Sequence, residues 1–192
     1  MDIIFATHNQ NKLQEVQALM PSHINLISLD DLGLKDDIPE TAETIAGNAI
    51  QKVEFLRMRY EQPVFADDTG LIVDALDGEP GVYSARYAGP HKSSEDNMNL
   101  LLEKLTDNNN RQARFVTAIA LDLNRHQILF EGVCEGRISK EKSGEKGFGY
   151  DPIFVPDGYD LTFAQMTMSE KGKISHRAKA LRKLIDYLKE AE

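Results

Sequence analysis

The sequence predicts an α/β fold in which helices flank a mixed central sheet, arranged in two lobes. In the first hundred residues, short apolar runs alternate with segments of helical periodicity, as in βα units. Two long alternating runs then meet at a short polar connection, which indicates an antiparallel hairpin. An amphipathic segment closes the chain. Since no repeat or linker interrupts residues 1–192, we expect a single domain.

The N-terminal half alternates strand and helix. Ile3–Ala6 is an apolar run of strand length, and apolar side chains recur at helical spacing across 13–20. Ile24–Leu29 predicts a second strand, and Thr44–Tyr60 predicts a helix with one buried stripe. A third, short strand is expected at Val64–Ala66, directly before two acidic residues.

The C-terminal half supplies the hairpin and two more helices. Ser93 has the spacing of a capping residue for a helix that contains Leu101 and Leu105. The hairpin strands are expected at Ala113–Leu123 and Gln127–Ile138. The remaining elements are a short strand at Ile153–Val155, a charged loop at Ser169–Lys173 and a last helix capped by Ser175.

Composition narrows the class of function. The net charge of −9 argues against broad electrostatic binding to nucleic acids or anionic membranes, although a small pocket can still be locally positive. The single cysteine, Cys134, excludes an internal disulfide and a cysteine-based zinc site. The opening MDIIFATHNQ has neither a basic start nor a long apolar run. We therefore expect a cytoplasmic protein with no membrane partner.

The adjacent acids Asp67 and Asp68 are the first candidate site. Two like charges at the end of a buried strand repel each other, and their desolvation is costly unless a partner neutralises them. A hard cation such as Mg²⁺ would do so. The alternative is a solvated acidic turn that caps the next segment.

A polar turn that suits an anion and a helix face that could line a cleft are the next candidates. The polar turn Thr7–Lys12 lies before a helix, where free N–H groups and the helix dipole favour an anion, although it lacks the glycines of a P-loop. Glu40, Thr44, Asn48 and Lys52 are spaced by four, so the last three share a helix face and Glu40 lies just upstream. The alternatives are a capped βα turn and an ordinary solvated helix face.

The C-terminal third adds groups for a flat ring and its charges. Phe148 lies between two glycines and is suited to stacking on a ligand, unless it packs onto the core. His176 and Arg177 occupy the first turn of a helix, where cations oppose the dipole unless an anion or base binds there; the alternative is two solvated charges. With Lys171 and Asp151, these groups suit a nucleoside triphosphate and its metal. The sequence has no Walker A loop, kinase motif or dinucleotide fingerprint.

Five motifs resemble those of the inosine/xanthosine triphosphate pyrophosphatase (Ham1-like) family, in the family's order and across nearly the whole chain. They are FATHNQNK at Phe5–Lys12, ET…NAIQK at Glu40–Lys52, FADDTGL…PGVYSARYAG at Phe65–Gly89, GFGYDPIF at Gly147–Phe154 and SEKGKISHRAKAL at Ser169–Leu181. The resemblance implies hydrolysis of dITP, ITP, XTP and dXTP to the monophosphate and pyrophosphate, with Mg²⁺. It also implies a homodimer that cleanses the nucleotide pool of deaminated purines, with the active site in a cleft between two lobes.

The resemblance also assigns roles by motif position. Asp68 would be the general base and a metal ligand, Glu40 a second metal ligand, and Lys52 a catalytic cation that holds the triphosphate. Arg177 and backbone N–H groups near Phe148 are candidate donors to the 6-oxo group of the base. The substrate-binding set would be Thr7, His8, Asn9, Gln10, Asn11, Lys12, Thr69, Phe148, Gly149, Tyr150, Asp151, Lys171, His176 and Arg177.

Three residues depart from the family pattern at positions that bear on substrate binding or metal binding. Thr69 stands where many members have Ser and keeps the hydroxyl, whereas His8 takes a turn position often held by Gly. Gly47 replaces an acid that often precedes Asn48, so Glu40 and the aspartates must suffice as metal ligands.

Two other functions stay open at this point. Maf-like pyrophosphatases share the general architecture and act on modified pyrimidine, dTTP or UTP substrates, but they lack the SHR and GFGYDP segments. A non-hydrolytic nucleotide-binding protein would need the same phosphate and base contacts without a general base.

Overall fold

The computed structural model describes residues 1–191. In chain order the strands are β1 (Asp2–Phe5), β2 (Asn25–Ile27), β3 (Val64–Val73), β4 (Pro80–Gly81), β5 (Gln112–Leu123), β6 (His126–Ile138) and β7 (Phe154–Pro156), and the helices are α1 (Gln10–Leu19), α2 (Ile45–Arg57), α3 (Ser94–Lys104), α4 (Met168–Ile174) and α5 (His176–Glu190). The strands form one sheet in the order β2-β1-β3-β5-β6-β7, with β4 paired to β3. The predicted class, a mixed sheet flanked by helices, is confirmed.

The chain divides into two compact units. Unit 1 contains Met1–Asp68, Thr117–Gly132 and the chain from His176 onward, and unit 2 contains Thr69–Val116 and Val133–Ser175. Among residues 1–191, no helix combines the length and the apolar character that crossing a membrane requires.

Unit 1 has a core on each face of its part of the sheet. β1 pairs in parallel with β2 and β3, and Ile4 lies opposite Val64. Since successive strand residues point to opposite faces, Phe5 packs in a cluster with α1 and α5, while Ile4 packs in a second cluster with α2. The ring of Phe5 stacks on that of Phe65 with centroids 4.6 Å apart. The sheet is therefore enclosed between two helical layers.

Unit 2 has its own apolar core, built from β3, β5, β6 and β7 residues with α3. Phe154 of β7 is central to it, since its ring lies 4.7 Å from that of Phe115 and 5.1 Å from that of Phe163. Cys134 is buried in the same cluster, as its place in an alternating strand predicts.

Most predicted elements are present with ends shifted by a few residues. Thr44 and Ser93 cap α2 and α3 through their side chains. The hairpin connection is tighter than expected: β6 begins at His126, and Asn124 and Arg125 both have positive φ, as a two-residue turn of type I′ requires.

Two local predictions are wrong. The strand expected to end at Ala66 continues to Val73, so Asp67 and Asp68 lie inside β3 and the acidic-turn alternative fails. The expected charged loop Ser169–Lys173 is helical, within α4. A capping box explains the helix: Thr167 accepts from the Glu170 backbone N–H, and the Glu170 carboxylate accepts from the Thr167 N–H.

Candidate active site

Asp67 and Asp68 are adjacent in β3 and therefore face opposite helical layers. Asp67 is 1% exposed and accepts hydrogen bonds from Lys12 of α1 and Arg177 of α5. Asp68 is 9% exposed and accepts from Asn48 of α2. The two-residue period of a strand thus gives two neighbouring carboxylates entirely different partners.

The Asp67 side of the strand carries a buried chain of charges. Lys12 Nζ lies 3.1 Å from Asp67 Oδ1, and Arg177 Nε lies 3.0 Å from Asp67 Oδ2. Arg177 also donates through Nη1 to Glu15, one turn after Lys12 on α1. Because its Nε and Nη1 both contact carboxylates and the residue is 2% exposed, Arg177 lies deeper than a residue that meets only the substrate would.

The Asp68 side is organised by Lys52. Its Nζ donates to Glu40 Oε1 at 2.6 Å and to the Asp67 carbonyl at 2.7 Å, and it lies 3.7 Å from Asp68 Oδ1. Asn48, one helical turn earlier, donates to Asp68 Oδ2 at 3.1 Å. The face defined by the four-residue spacing therefore does bring an amide and an amine to the acids.

The two aspartates have pKa values shifted in opposite directions. Burial would raise the pKa of Asp67, but Lys12 and Arg177, with a smaller effect of Lys52, hold it well below its usual range. Burial raises the pKa of Asp68, and nearby Glu40 adds to this, so that Lys52, Lys12 and the Asn48 hydrogen bond offset it only in part. Asp67 is thus charged at neutral pH, whereas the pKa of Asp68 is shifted in the direction that favours its protonated form.

The pKa values of Lys12 and Lys52 are also shifted in opposite directions. Burial lowers the pKa of the Lys12 ammonium, and the neighbouring cations Lys52 and Arg177 add to this against the attraction of Asp67. Burial would lower the pKa of Lys52 too, but Asp68, Glu40 and Asp67 together raise it above its ordinary value. Lys52 is therefore firmly charged at neutral pH.

The donor set on the Asp68 side suits a divalent cation. The Lys52 ammonium lies within 4 Å of both Glu40 and Asp68, which shows that the two carboxylates converge on one cationic position. Within residues 1–191, no cluster of three or more His, Cys, Asp or Glu side chains is arranged to hold a metal. Carboxylate oxygens of this kind are ligands that hard divalent cations bind.

The turn before α1 is capped by its own side chains, which is the alternative that the sequence left open. Asn9 is the N-cap, and its side chain accepts from the N–H groups of Asn11 and Lys12. Thr7 Oγ1 in turn accepts from the Asn9 N–H. His8 and Gln10 are exposed; His8 Nε2 lies 3.0 Å from the Asp36 carbonyl oxygen and Gln10 donates to Asp30. Only Lys12 of this turn reaches the acid pair.

Unit 2 brings together a second set of predicted residues. Asp151 Oδ2 accepts from Lys171 Nζ at 2.6 Å and from the Phe148 N–H at 3.0 Å. The Lys171 ammonium lies 5.1 Å from the centroid of the half-buried Phe148 ring. Gly147 has φ +74°, and a Cβ there would lie 2.0 Å from Asp151 Oδ2, so the loop depends on this glycine.

The other predicted residues of this loop are anchored or half-buried. Tyr150 is buried and donates from its hydroxyl to the Ser84 carbonyl at 2.7 Å, and its pKa is raised by burial. Gly149 is half-buried, with φ +61°. Outside this loop, the predicted residue Thr69 is half-buried in β3.

His176 is held by close packing of α5 on the sheet. It is the first residue of α5 and is 3% exposed. A Cβ at Gly132 of β6 would lie 2.1 Å from the His176 carbonyl oxygen, so only glycine permits this approach. The position of Arg177, the next residue, depends on the same contact.

Sequence reasoning missed the roles of two residues. Glu15 pairs with Arg177, and Ser84 anchors Tyr150. The i, i+3 spacing of Lys12 and Glu15 on one helix edge was the available signal for Glu15. Nothing local distinguishes Ser84, because its carbonyl accepts from a residue 66 positions away.

Comparison with known proteins links this geometry to one family. The profile described as the Ham1 family matches residues 3–187. A protein of Flavobacterium psychrophilum named dITP/XTP pyrophosphatase is 52% identical over 189 residues, which cover 98% of this chain and 100% of that protein. A protein of Christiangramia forsetii with the same name is 54% identical over 188 residues, 98% and 99% of the two chains.

Solved structures show the same fold. The Staphylococcus aureus Ham1 protein superimposes with a TM-score of 0.90 at 40% identity and full coverage of both chains. A HAM1 protein from Coxiella burnetii gives a TM-score of 0.90 at 38% identity, with 99% of both chains covered.

Proposed function

The chain belongs to the Ham1 family, and on that premise we propose that it hydrolyses dITP, ITP, XTP and dXTP to the monophosphate and pyrophosphate. Relatives that share about half of its residues over nearly the whole chain carry the name dITP/XTP pyrophosphatase. In this role it would cleanse the nucleotide pool of deaminated purines.

The observation that carries the proposal is the separation of the two neighbouring acids. A general base must accept a proton, and its efficiency rises as its pKa approaches the working pH. Both carboxylate oxygens of Asp67 accept from cations, Lys12 and Arg177, whereas Asp68 is more exposed and accepts from the neutral amide of Asn48. Burial also raises the pKa of Asp68, so Asp68 meets this requirement better than Asp67 does. In the proposed reaction a water oxygen attacks the α-phosphorus, Asp68 takes the proton of that water, and the bond to the bridging α–β oxygen breaks to release pyrophosphate.

The surrounding cations stabilise the phosphates. Lys52 remains charged next to Asp68, and Lys12 is fixed by Asp67, so both present positive charge where negative charge develops in the transition state. Arg177 holds Asp67 from the other side and thereby fixes Lys12. Thr7, His8, Asn9, Gln10 and Asn11 complete the proposed phosphate-binding turn.

We assign a divalent cation, Mg²⁺, to Glu40 and Asp68. A bound Mg²⁺ would lower the pKa of water and neutralise charge on the leaving pyrophosphate. Lys52, which pairs with both carboxylates in this structure, would then turn its charge toward phosphate oxygens.

We assign recognition of the base and sugar to Thr69, Phe148, Gly149, Tyr150, Asp151, Lys171, His176 and Arg177. The Phe148 ring offers a stacking face, and its loop is tied down by Asp151 and Lys171. Hypoxanthine and xanthine present a 6-oxo acceptor where adenine presents an amino donor. If protein N–H groups face that position, they find an acceptor in ITP or XTP but only another donor in ATP, so both groups stay unpaired. Such mismatches reject a substrate by about 10⁴-fold.

The proposal includes a homodimer that acts in the cytoplasm and binds neither nucleic acid nor membranes. The family resemblance supports the dimer, and the net charge of −9 supports the absence of a polyanion partner. Light scattering after size exclusion tests the dimer, which a monomeric mass would contradict.

A substrate panel tests the reaction. Pyrophosphate release is measured with Mg²⁺ and dITP, XTP, dTTP, UTP, dGTP or ATP. We expect turnover of dITP and XTP to dominate, and we expect Asp68→Asn to reduce it by about 10²–10⁴-fold, the usual contribution of a general base. Asp122→Asn is the matched control, a largely buried acid of unit 1 that pairs with Arg57. Preferential release from dTTP or UTP would instead identify a Maf-like activity, and binding without release a nucleotide-binding protein.

A further inference from the structure

Asn48 is a buried amide that makes two directional contacts. It lies in the first turns of α2 and is 1% exposed. Its Oδ1 accepts from the Ala42 backbone N–H at 2.9 Å, and its Nδ2 donates to Asp68 Oδ2 at 3.1 Å. One side chain thus joins the proposed general base to the segment that carries Glu40.

The chemistry of its partners fixes the orientation of this amide. The Ala42 N–H is a donor and can be met only by the amide oxygen. The amide nitrogen must therefore face Asp68, which as a carboxylate can only accept. A flipped amide would lose both hydrogen bonds, so no alternative orientation competes.

Asn48 and Lys52 address different oxygens of Asp68. Lys52 Nζ lies 3.7 Å from Oδ1, whereas Asn48 contacts Oδ2. Because the two donors are one helical turn apart on α2, they approach the carboxylate at different oxygens. Asn48 supplies the shorter, directional contact.

We propose that Asn48 is a positioning residue for the reaction, which orients the Asp68 carboxylate and holds the Glu40 segment at a set distance from it. The inference rests on the proposed function, because it takes Asp68 to be the base. Asn48 acts through Asp68 and Ala42. Its loss therefore affects the reacting geometry more than substrate affinity.

A pair of amide-to-acid substitutions tests this role. Asn48→Asp keeps the shape and the acceptor for Ala42, but it replaces the donor to Asp68 by a second carboxylate that repels it. Gln51→Glu is the matched control: Gln51 ties the same loop to the same helix, through Thr41 N and Thr41 Oγ1, without contacting Asp68.

Steady-state kinetics with dITP is the first measurement, at a temperature where unfolding curves show each variant fully folded. We expect Asn48→Asp to lower kcat by about 10²-fold, as misplacement of a reacting group by 1 Å can do, with a KM change below about threefold. We expect Gln51→Glu to stay within about twofold of the wild-type kcat. A wild-type kcat in Asn48→Asp, or an equal loss in Gln51→Glu, overturns the proposal.

NMR spectroscopy tests the Asn48–Asp68 contact without measuring turnover. It therefore gives a result even if the Asn48→Asp variant does not fold or the wild-type protein does not hydrolyse dITP. In ¹H–¹⁵N spectra of the wild-type protein, we expect the Asn48 side-chain amide to exchange slowly with solvent. We expect its signals to shift in Asp68→Asn, where the charged acceptor is lost. Fast exchange, or signals that Asp68→Asn leaves unmoved, overturns the proposal. If no triphosphate is hydrolysed but these signals behave as expected, the proposed function fails and the Asn48–Asp68 contact stands.

Discussion

The Asp67→Asn substitution would remove one charge from the buried chain that links α1, β3 and α5. The Asp67 side chain is 1% exposed, with Lys12 and Arg177 at 3.1 and 3.0 Å. Asparagine has nearly the same shape and can still accept one hydrogen bond. The change therefore removes the negative charge between two buried cations, together with one of the two acceptors that they contact.

The expected cost follows from these distances. At 3 Å and an effective dielectric constant of 20, each pair of unit charges attracts by about 5 kcal/mol. Much of this gross attraction offsets the desolvation of Asp67 itself, and removal of one partner of a buried pair costs about 3–5 kcal/mol net. Arg177 retains Glu15, so the loss falls mainly on Lys12. For a chain of this size, the loss corresponds to a decrease in Tm of about 6–20 °C.

Urea unfolding at pH 7 measures this loss as a change in the free energy of unfolding. Asp122→Asn, whose partner Arg57 is 42% exposed at the side chain, is the control and should cost about 1 kcal/mol or less. Asp68→Asn should stay within about 1 kcal/mol of wild type, because burial and Glu40 already oppose its charge. If Asp67→Asn proved as mild as Asp122→Asn, the buried charge chain would not be a source of stability.

Two further outcomes are expected. Because Asp67 has a folded pKa below its ordinary value of about 3.9, its stabilisation is complete above pH 5 and declines as the pH falls below 4, where the unfolded state binds the proton first. The stability gap between wild type and Asp67→Asn in urea should therefore narrow from pH 7 to pH 3, and a constant gap would contradict the assignment. Gly132→Ala should lower the free energy of unfolding by about 1–3 kcal/mol, because the new Cβ would lie 2.1 Å from the His176 carbonyl oxygen and 2.5 Å from Ala180 N. Thermal unfolding measures this loss, and an unchanged Tm would show that α5 can move away without cost.

Much of the fold was predictable because its signals are local. Helical spacing located α1 and α2, and alternation located β5 and β6. The end of β3 was not predictable in this way, because two adjacent charged residues after an apolar run usually indicate that the strand has ended. They are tolerated inside β3 only because Lys12, Lys52 and Arg177 neutralise them.

The site residues likewise include some that local motifs predict and some whose contacts only the structure shows. The motifs singled out Asp68, Lys52, Glu40 and Lys12, and the structure brings these four to neighbouring positions. For Arg177 the structure adds what spacing alone could not show, namely two buried carboxylate partners, one of them 162 residues away. Contacts of that sequence separation leave no periodic trace along the chain.

The sequence by itself determined which chemical groups this protein holds and in which order along the chain, since side-chain chemistry and local periodicity need no tertiary context. Only the tertiary structure decided how Asp67 and Asp68 differ. A strand turns adjacent residues to opposite faces, so one acid lies between Lys12 and Arg177 and the other beside Asn48 and Lys52. Burial among those unlike partners, rather than any difference between two aspartates, shifts the pKa values of Asp67 and Asp68 in opposite directions.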